Sequence, residues 1–219
     1  MTKKITIAID AMGGENAPLK NLEGLNLFLK KNNNIKDFSI ILYGNEDILN
    51  KEISKQNISK ELIKIVHTEN IVSDEDTPLT AIKNSKNSSM WKSIKAQTNG
   101  EADISLSAGN TGVLLVISKM ILKMMPEVSK PALAGLWPNK KGMSVVLDLG
   151  ANIECDEKNL VDFSEMGAAL YKSIFPNQKP YVSLLNIGSE EIKGTELLKK
   201  TYSILKKISN KNTFLFNGY

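Results

Sequence analysis

Residues 103–112 read Asp103-Ile-Ser-Leu-Ser-Ala-Gly-Asn-Thr-Gly112. A short apolar run enters a glycine-flanked helix start, which is the strand-to-helix turn of an α/β fold. The first turn of such a helix carries unpaired N–H donors and the positive end of the macrodipole, so a phosphate or oxyanion is stabilised there. Gly109 and Gly112 allow close approach. Ser107 precedes them at the strand end, and Asn110 and Thr111 supply short side chains able to cap the helix or hydrogen-bond a ligand. Val113 to Met125 then reads as an apolar helix ending before Pro126. Taken alone, this pattern also fits a well-capped turn with no ligand.

Upstream, Lys4 to Ile9 has the filling of a buried strand and is followed by Asp10-Ala-Met-Gly-Gly-Glu-Asn-Ala-Pro18, a second glycine-rich loop. Pro18 suits the first turn of a helix whose apolar positions are Leu22, Leu25 and Leu29. Asp10, Gly13 and Gly14 thus sit at the carboxyl end of a strand, the edge where open α/β sheets bind ligands. Phe38 to Tyr43 predicts a strand, Glu46 to Lys55 a helix and Leu62 to His67 another strand, an alternation that signals a largely parallel sheet. Thr80 to Lys95 predicts one polar helix carrying Lys83, Lys86, Lys92 and Lys95. His67 is the single histidine and has no partner assignable from the sequence.

Downstream, Pro131 to Leu136 and Ser144 to Leu147 predict a hairpin closed by a turn over Trp137 to Gly142. Asp148-Leu-Gly-Ala-Asn152 places a third acid, glycine and amide after a strand. Leu160 to Ile174 predicts a helix, Tyr181 to Leu185 a strand, and Asn186 to Gly194 a fourth polar loop containing Gly188. Leu197, Leu198, Thr201, Leu205 and Ile208 mark a long amphipathic helix, and Thr213 to Phe216 begins a last strand. With no long linker, residues 1–219 read as a single α/β domain.

Composition bounds the function. Of 219 residues, 42% are hydrophobic and 24% charged, a soluble globular balance. The net charge is +4, yet all 28 basic residues are lysine and dispersed, which argues against nucleic acid and removes bidentate guanidinium clamps on phosphate. A single cysteine, Cys155, excludes an intramolecular disulfide and fits a cytoplasmic setting. Cys155 reads better as a half-buried thiol than as a nucleophile, because no histidine is placed to activate it.

Several stretches together resemble the PlsX phosphate acyltransferases. They are Ile7 to Pro18, Asn87-Ser-Ser-Met90, Ser107 to Gly112, Pro131-Ala-Leu-Ala134, Leu147-Asp-Leu-Gly-Ala-Asn152, Met166-Gly167 and Leu184 to Gly194. The resemblance implies a three-layer α/β/α sandwich with a mostly parallel sheet, similar to phosphotransacetylases and isocitrate dehydrogenases. It implies conversion of acyl-acyl carrier protein and inorganic phosphate to acyl-phosphate for phospholipid synthesis, with no cofactor and no metal. It also implies homodimers that associate peripherally with the membrane. Attack on a thioester needs positioning and charge stabilisation rather than an enzyme nucleophile. The expected catalytic residues are Asn110 and Thr111. The expected binding residues are Asp10, Gly13, Gly14, Ser107, Gly109, Gly112, Asp148, Asn152, Asn186 and Gly188.

Two departures from the resemblance stand out. Lys130 occupies a position where the family usually has Arg, and the tail Phe214-Leu-Phe-Asn-Gly-Tyr219 stops about a third of a family chain short. A non-catalytic fragment, or half of a split enzyme, is the alternative reading. A nucleotide-dependent kinase or ATPase is a weaker one, resting on the loose Asp-x-Gly patterns at Asp10 and Asp148.

Overall fold

The computed structural model describes residues 4–32, 35–140, 142–188, 193–209 and 214–219. Packing divides the chain into two compact units, Met1–Lys123 and Met124–Tyr219. The part of the fourth polar loop formed by residues 189–192, and Thr213 at the start of the last expected strand, lie outside the described residues.

The first unit is built on strands β1 (Ile5–Asp10), β2 (Phe38–Gly44), β3 (Ile63–His67) and β4 (Ile104–Ser107). All pair in parallel in the order β3-β2-β1-β4. Period-two alternation divides their side chains between two faces. Ile9, Ile40 and Leu42 pack with Leu22 and Leu25 of α1 (Leu19–Lys31) and with Leu49 and Ile53 of α2 (Glu46–Lys55). Ala8, Ile41 and Tyr43 face the other way, with Ala96 of α4 (Ser89–Thr98). Helices therefore cover both faces, the arrangement a parallel sheet requires.

The chain runs outward from β1 to β2 to β3, then returns to lay β4 on the opposite side of β1. Strand order reverses between β1 and β4, so the loops after these two strands diverge around a crevice.

The expected helix over Thr80 to Lys95 is two helices, α3 (Pro78–Asn84) and α4. Asn87 takes a left-handed φ of 77°, and Ser88 Oγ accepts from Trp91 N at 3.1 Å, capping a new helix. Helix α5 (Thr111–Leu122) starts two residues earlier than expected and stops at Lys123, whose φ of 68° ends it before Pro126 is reached. Its residues Val113 and Ile117 pack with Met90 and Ile94 of α4.

In the second unit, β5 (Gly135–Asn139) and β6 (Gly142–Val146) form the expected antiparallel hairpin. Trp137 and Pro138 belong to β5 rather than to the turn, and Pro138 is tolerated because this strand pairs on one side only among the described residues. Helix α6 (Glu157–Ile174) opens on a capping box between Asp156 and Asn159. Strand β7 is reduced to Tyr181–Val182 and pairs in parallel with β8 (Leu215–Phe216). Phe214 is fully buried with Leu184, Ala168 and Leu205 of α7 (Glu196–Ile208), and Tyr219 stacks on Tyr202 with ring centroids 5.0 Å apart. Among the described residues, no helix is long and apolar enough to cross a membrane.

Candidate functional site

Asp10 ends β1 and Ser107 ends β4, and they are register partners across the switch point. Ser107 Oγ donates to Asp10 Oδ2 at 2.7 Å and accepts from Gly109 N–H at 3.1 Å. One hydroxyl therefore couples the first strand to the loop after the fourth.

The two loops touch through their glycines. A Cβ on Gly13 would lie 2.4 Å from Asp10 Oδ2 and 3.1 Å from Gly109 N; one on Gly14, at φ +95°, would lie 2.6 Å from the Ala108 carbonyl oxygen. No side chain fits between these backbones. Asn21, in the first turn of α1, holds the β1–α1 loop from behind, its Nδ2 donating to the carbonyls of Ala11 at 3.0 Å and Gly13 at 2.9 Å.

Above this contact, α5 begins. Asn110, expected from sequence to hydrogen-bond a reacting group, is engaged at both ends of its side chain. Its Oδ1 caps α5 by accepting from Val113 N at 3.1 Å, and its Nδ2 donates to the carbonyls of Asp74 at 3.1 Å and Asp76 at 2.9 Å. Thr111 and Gly112 are exposed, and their N–H groups make no hydrogen bond among the described residues. These amides, rather than the Asn110 side chain, are the available anion donors of the turn.

Asp10 is 1% exposed. Burial pushes its carboxyl above the usual carboxylate range, opposed by the hydroxyls of Ser89 and Ser107 and by the amides of Met12 and Gly13. Asp10 Oδ1 and Ser89 Oγ are both buried without a hydrogen-bond partner. Sequence reading passed over Ser89; its one signal was its place in Asn87-Ser-Ser-Met90, at the start of α4.

In the second unit, the Asp148 carboxylate closes its own loop. Oδ1 accepts from Leu133 N at 2.8 Å and Ala151 N at 3.3 Å; Oδ2 accepts from Asn152 N at 2.7 Å and Asn152 Nδ2 at 2.9 Å. Burial is the largest influence and works to raise its pKa, yet these donors together bring it below the ordinary value. Asn152 Nδ2 also reaches the Pro131 carbonyl at 2.7 Å. Asn186 folds back on its own loop, its Nδ2 donating to the Lys193 carbonyl at 3.1 Å and its Oδ1 accepting from Ile187 N at 2.9 Å; Gly188 follows in a bend.

The remaining candidates fall outside this geometry. His67 Nδ1 accepts from Glu46 N at 3.2 Å and so serves the start of α2. Burial raises the Cys155 thiol pKa; Lys130 opposes the shift, while Asp148 and Asp156 add to it, the reverse of an activated thiolate. Lys130 Nζ itself donates to the Glu154 carbonyl. Among the described residues, no group of three or more His, Cys, Asp or Glu side chains could hold a metal ion.

The α/β fold with its parallel sheet is similar to that of solved phosphotransacetylases. The EutD phosphotransacetylase from Staphylococcus aureus superposes with a TM-score of 0.69 at 16% identity, over 100% of this chain and 69% of that one. A phosphotransacetylase from Streptococcus pyogenes gives 0.68 at 13% identity, over 96% and 67%. More particularly, residues 5–219 match the FA_synthesis family model, described as fatty acid synthesis protein, and the chain belongs to that family. It is 50% identical over 219 residues to a phosphate acyltransferase of Pelagibacter ubique, covering 100% of this chain and 64% of that protein. Against a phosphate acyltransferase of Parvibaculum lavamentivorans the identity is 42% over 208 residues, 94% of this chain and 57% of that protein. The chain thus spans about three fifths of the length of these relatives.

Proposed function

We propose that this chain carries the phosphate-binding part of an acyl-acyl carrier protein:phosphate acyltransferase, and that the Ser107–Gly112 turn receives the phosphate or the oxyanion formed during transfer. The observation that carries this reading is that Thr111 and Gly112 are exposed residues whose N–H groups make no hydrogen bond among the described residues, directly after the contact between the two glycine loops at the switch point.

In the reaction, a phosphate oxygen attacks the thioester carbonyl carbon, and the C=O electron pair moves onto oxygen. As the tetrahedral oxyanion collapses, the C–S bond breaks and the carrier thiolate leaves, taking up a proton from solvent. Amides fixed before the reaction stabilise that oxyanion without reorganising. Thr111 and Gly112 supply such amides. Asn110 keeps them in place by capping α5 and tying it to the Ser73–Asp76 segment. Asp10, Gly13, Gly14, Ser107 and Gly109 form the floor beneath the turn. Asp148, Asn152, Asn186 and Gly188 shape loops of the second unit that serve the acyl donor. The dispersed lysines suit an acidic carrier protein through charge complementarity.

The test is acyl-phosphate formation by this chain beside the same chain extended with the C-terminal third of a relative, together with titration of the 15N-labelled chain with inorganic phosphate. The expected result is phosphate-dependent movement of the Gly109, Thr111 and Gly112 amide resonances in both forms. If those resonances stay still while ATP binds, the transferase reading fails in favour of the nucleotide-dependent class. Turnover confined to the extended form would show that the reaction needs residues beyond the span of this chain, which covers 64% of its Pelagibacter relative.

A further inference from the structure

Helix α5 is apolar nearly all the way round: of its 12 residues, only Thr111, Gly112, Ser118 and Lys119 are not Val, Leu, Ile or Met. A helix of that kind is normally covered on every side. Here one stripe is covered, where Val113 and Ile117 are buried with Met90 and Ile94 of α4 and have Leu114 and Ile121 packed against them. Leu115, Val116, Met120 and Leu122 belong to no core cluster among the described residues, and Met120 and Leu122 are 37% and 41% exposed. The sequence supplies more apolar surface on α5 than the first unit buries.

Helical spacing sorts these four residues into two flanks. At about 100° per residue, Thr111, Leu115, Ser118 and Leu122 fall on one line, at i, i+4, i+7 and i+11. Val116 and Met120 fall on the far side of Lys119, which is exposed. Side chains of a helix lean towards its N-terminus, so Leu115 lies over the turn that begins with Thr111. The line through Leu115 and Leu122 carries no charge. It starts at the amides assigned above to the oxyanion and runs about 16 Å along the helix. That is about half of the ~30 Å hydrocarbon thickness of a bilayer, hence the length of one of its acyl chains.

We propose that this line on α5 is the subsite for the acyl chain of the donor, and that Leu115 and Leu122 set the preferred chain length. The inference rests on the function proposed above. A thioester whose carbonyl oxygen lies on the Thr111 and Gly112 amides must lead its hydrocarbon away from them, and this line is an uncharged apolar path leaving from the same turn. Each leucine that the chain covers strengthens binding by the apolar area taken out of water. A short chain ends beside Leu115, whereas a long one reaches Leu122.

The test is a titration of the full chain, labelled with 15N and with 13C at leucine methyl groups, using dodecanoyl-pantetheine and butanoyl-pantetheine below their micelle concentrations. Dodecanoyl-pantetheine is expected to shift the Leu115 and Leu122 methyls together with the Thr111 and Gly112 amides, and butanoyl-pantetheine should leave Leu122 still. Leu122→Gln keeps helix propensity and should weaken the longer thioester about tenfold without changing the shorter one. Leu115→Gln should weaken both. Met120→Gln, similarly exposed on the other flank, is the control and should change neither. The proposal is overturned if Met120→Gln matches Leu122→Gln, or if affinity is independent of chain length. It is overturned as well if the leucine methyls ignore both thioesters and shift when the chain alone is concentrated, because a second copy then covers the face. Amides that respond to inorganic phosphate beside leucines that ignore dodecanoyl-pantetheine would remove the acyl subsite and leave the phosphate reading intact. Leucines that respond beside amides indifferent to phosphate would keep the subsite and remove the phosphate reading.

Discussion

Ser107 Oγ stands 2.7 Å from Asp10 Oδ2, although 97 residues separate the two in the chain. Parallel pairing of β1 with β4 puts both residues at the same level of the sheet, and the same hydroxyl accepts from Gly109 N–H. Ser107→Ala removes a donor and an acceptor at once and leaves a buried carboxyl oxygen and a loop amide unpaired. The expected cost is about 1–3 kcal/mol. A urea unfolding curve followed by Trp91 fluorescence, in a chain where Trp137 is replaced by Phe, reports this unit alone. A midpoint unchanged by the substitution would show that the hydroxyl couples nothing.

Gly14 offers a sharper test of the loop contact. Its φ of +95° is one that L side chains rarely adopt, and a Cβ there would stand 2.6 Å from the Ala108 carbonyl oxygen. Gly14→Ala therefore strains its own backbone and drives the β1–α1 loop from the loop after β4, at a combined cost of about 2–4 kcal/mol. Gly100→Ala is the control, because Gly100 also has positive φ, at +72°, but nothing lies within 4 Å of its added Cβ. If the two variants unfold at the same denaturant concentration, backbone strain accounts for everything and the loops are not in close contact.

Asn110 does two jobs with one amide, and two substitutions separate them. Asn110→Ala loses the cap of α5 and the ties to Asp74 and Asp76, whereas Asn110→Asp keeps the capping oxygen and loses the ties. Removing a cap costs about 1 kcal/mol. Hydrogen exchange should then accelerate at residues 73–76 in both variants but at the start of α5 only in Asn110→Ala. Equal acceleration in α5 would mean that the donors to the 73–76 segment, not the cap, secure the helix.

Much of this was legible in the sequence because it is local. The strand filling of Lys4 to Ile9, the helix from Glu46 to Lys55 and the glycine turn at Ser107 to Gly112 each announce themselves within a dozen residues, and the structure places elements there. Leucine at helical spacing after Pro18 gave α1 for the same reason. The break at Asn87 was not legible, since a left-handed asparagine and a serine cap look like any polar stretch until Ser89 N bonds the Asn70 carbonyl. Nor could spacing reveal that the Asn110 amide is occupied, because its partners lie 34 to 37 residues away. The unpartnered oxygens of Asp10 and Ser89 depend on an α4 that packs against β1, which only the assembled sheet provides.

Asp10 and Asp148 should give the two units opposite responses to pH. Asp148 has a folded pKa below its unfolded value, about 3.9 for a free aspartate. Its contribution is fully present above that value and is lost as pH falls through the folded pKa, because the unfolded chain then binds the proton more readily. Asp10 has a folded pKa above the unfolded value. The folded form then binds the proton more readily, so its contribution is fully present below about 3.9 and is lost as pH rises through the folded pKa. Wild type and Asp148→Asn, compared through Trp137 in a chain where Trp91 is replaced by Phe, should differ most at neutral pH and converge on acidification. Wild type and Asp10→Asn, compared through Trp91, should diverge as pH rises, with the asparagine form gaining relative stability. Other carboxylates titrate in both members of each pair and cancel in the difference. A difference for Asp10→Asn that runs with the same sign as that for Asp148→Asn would mean that the donors around the Asp10 carboxyl outweigh its burial.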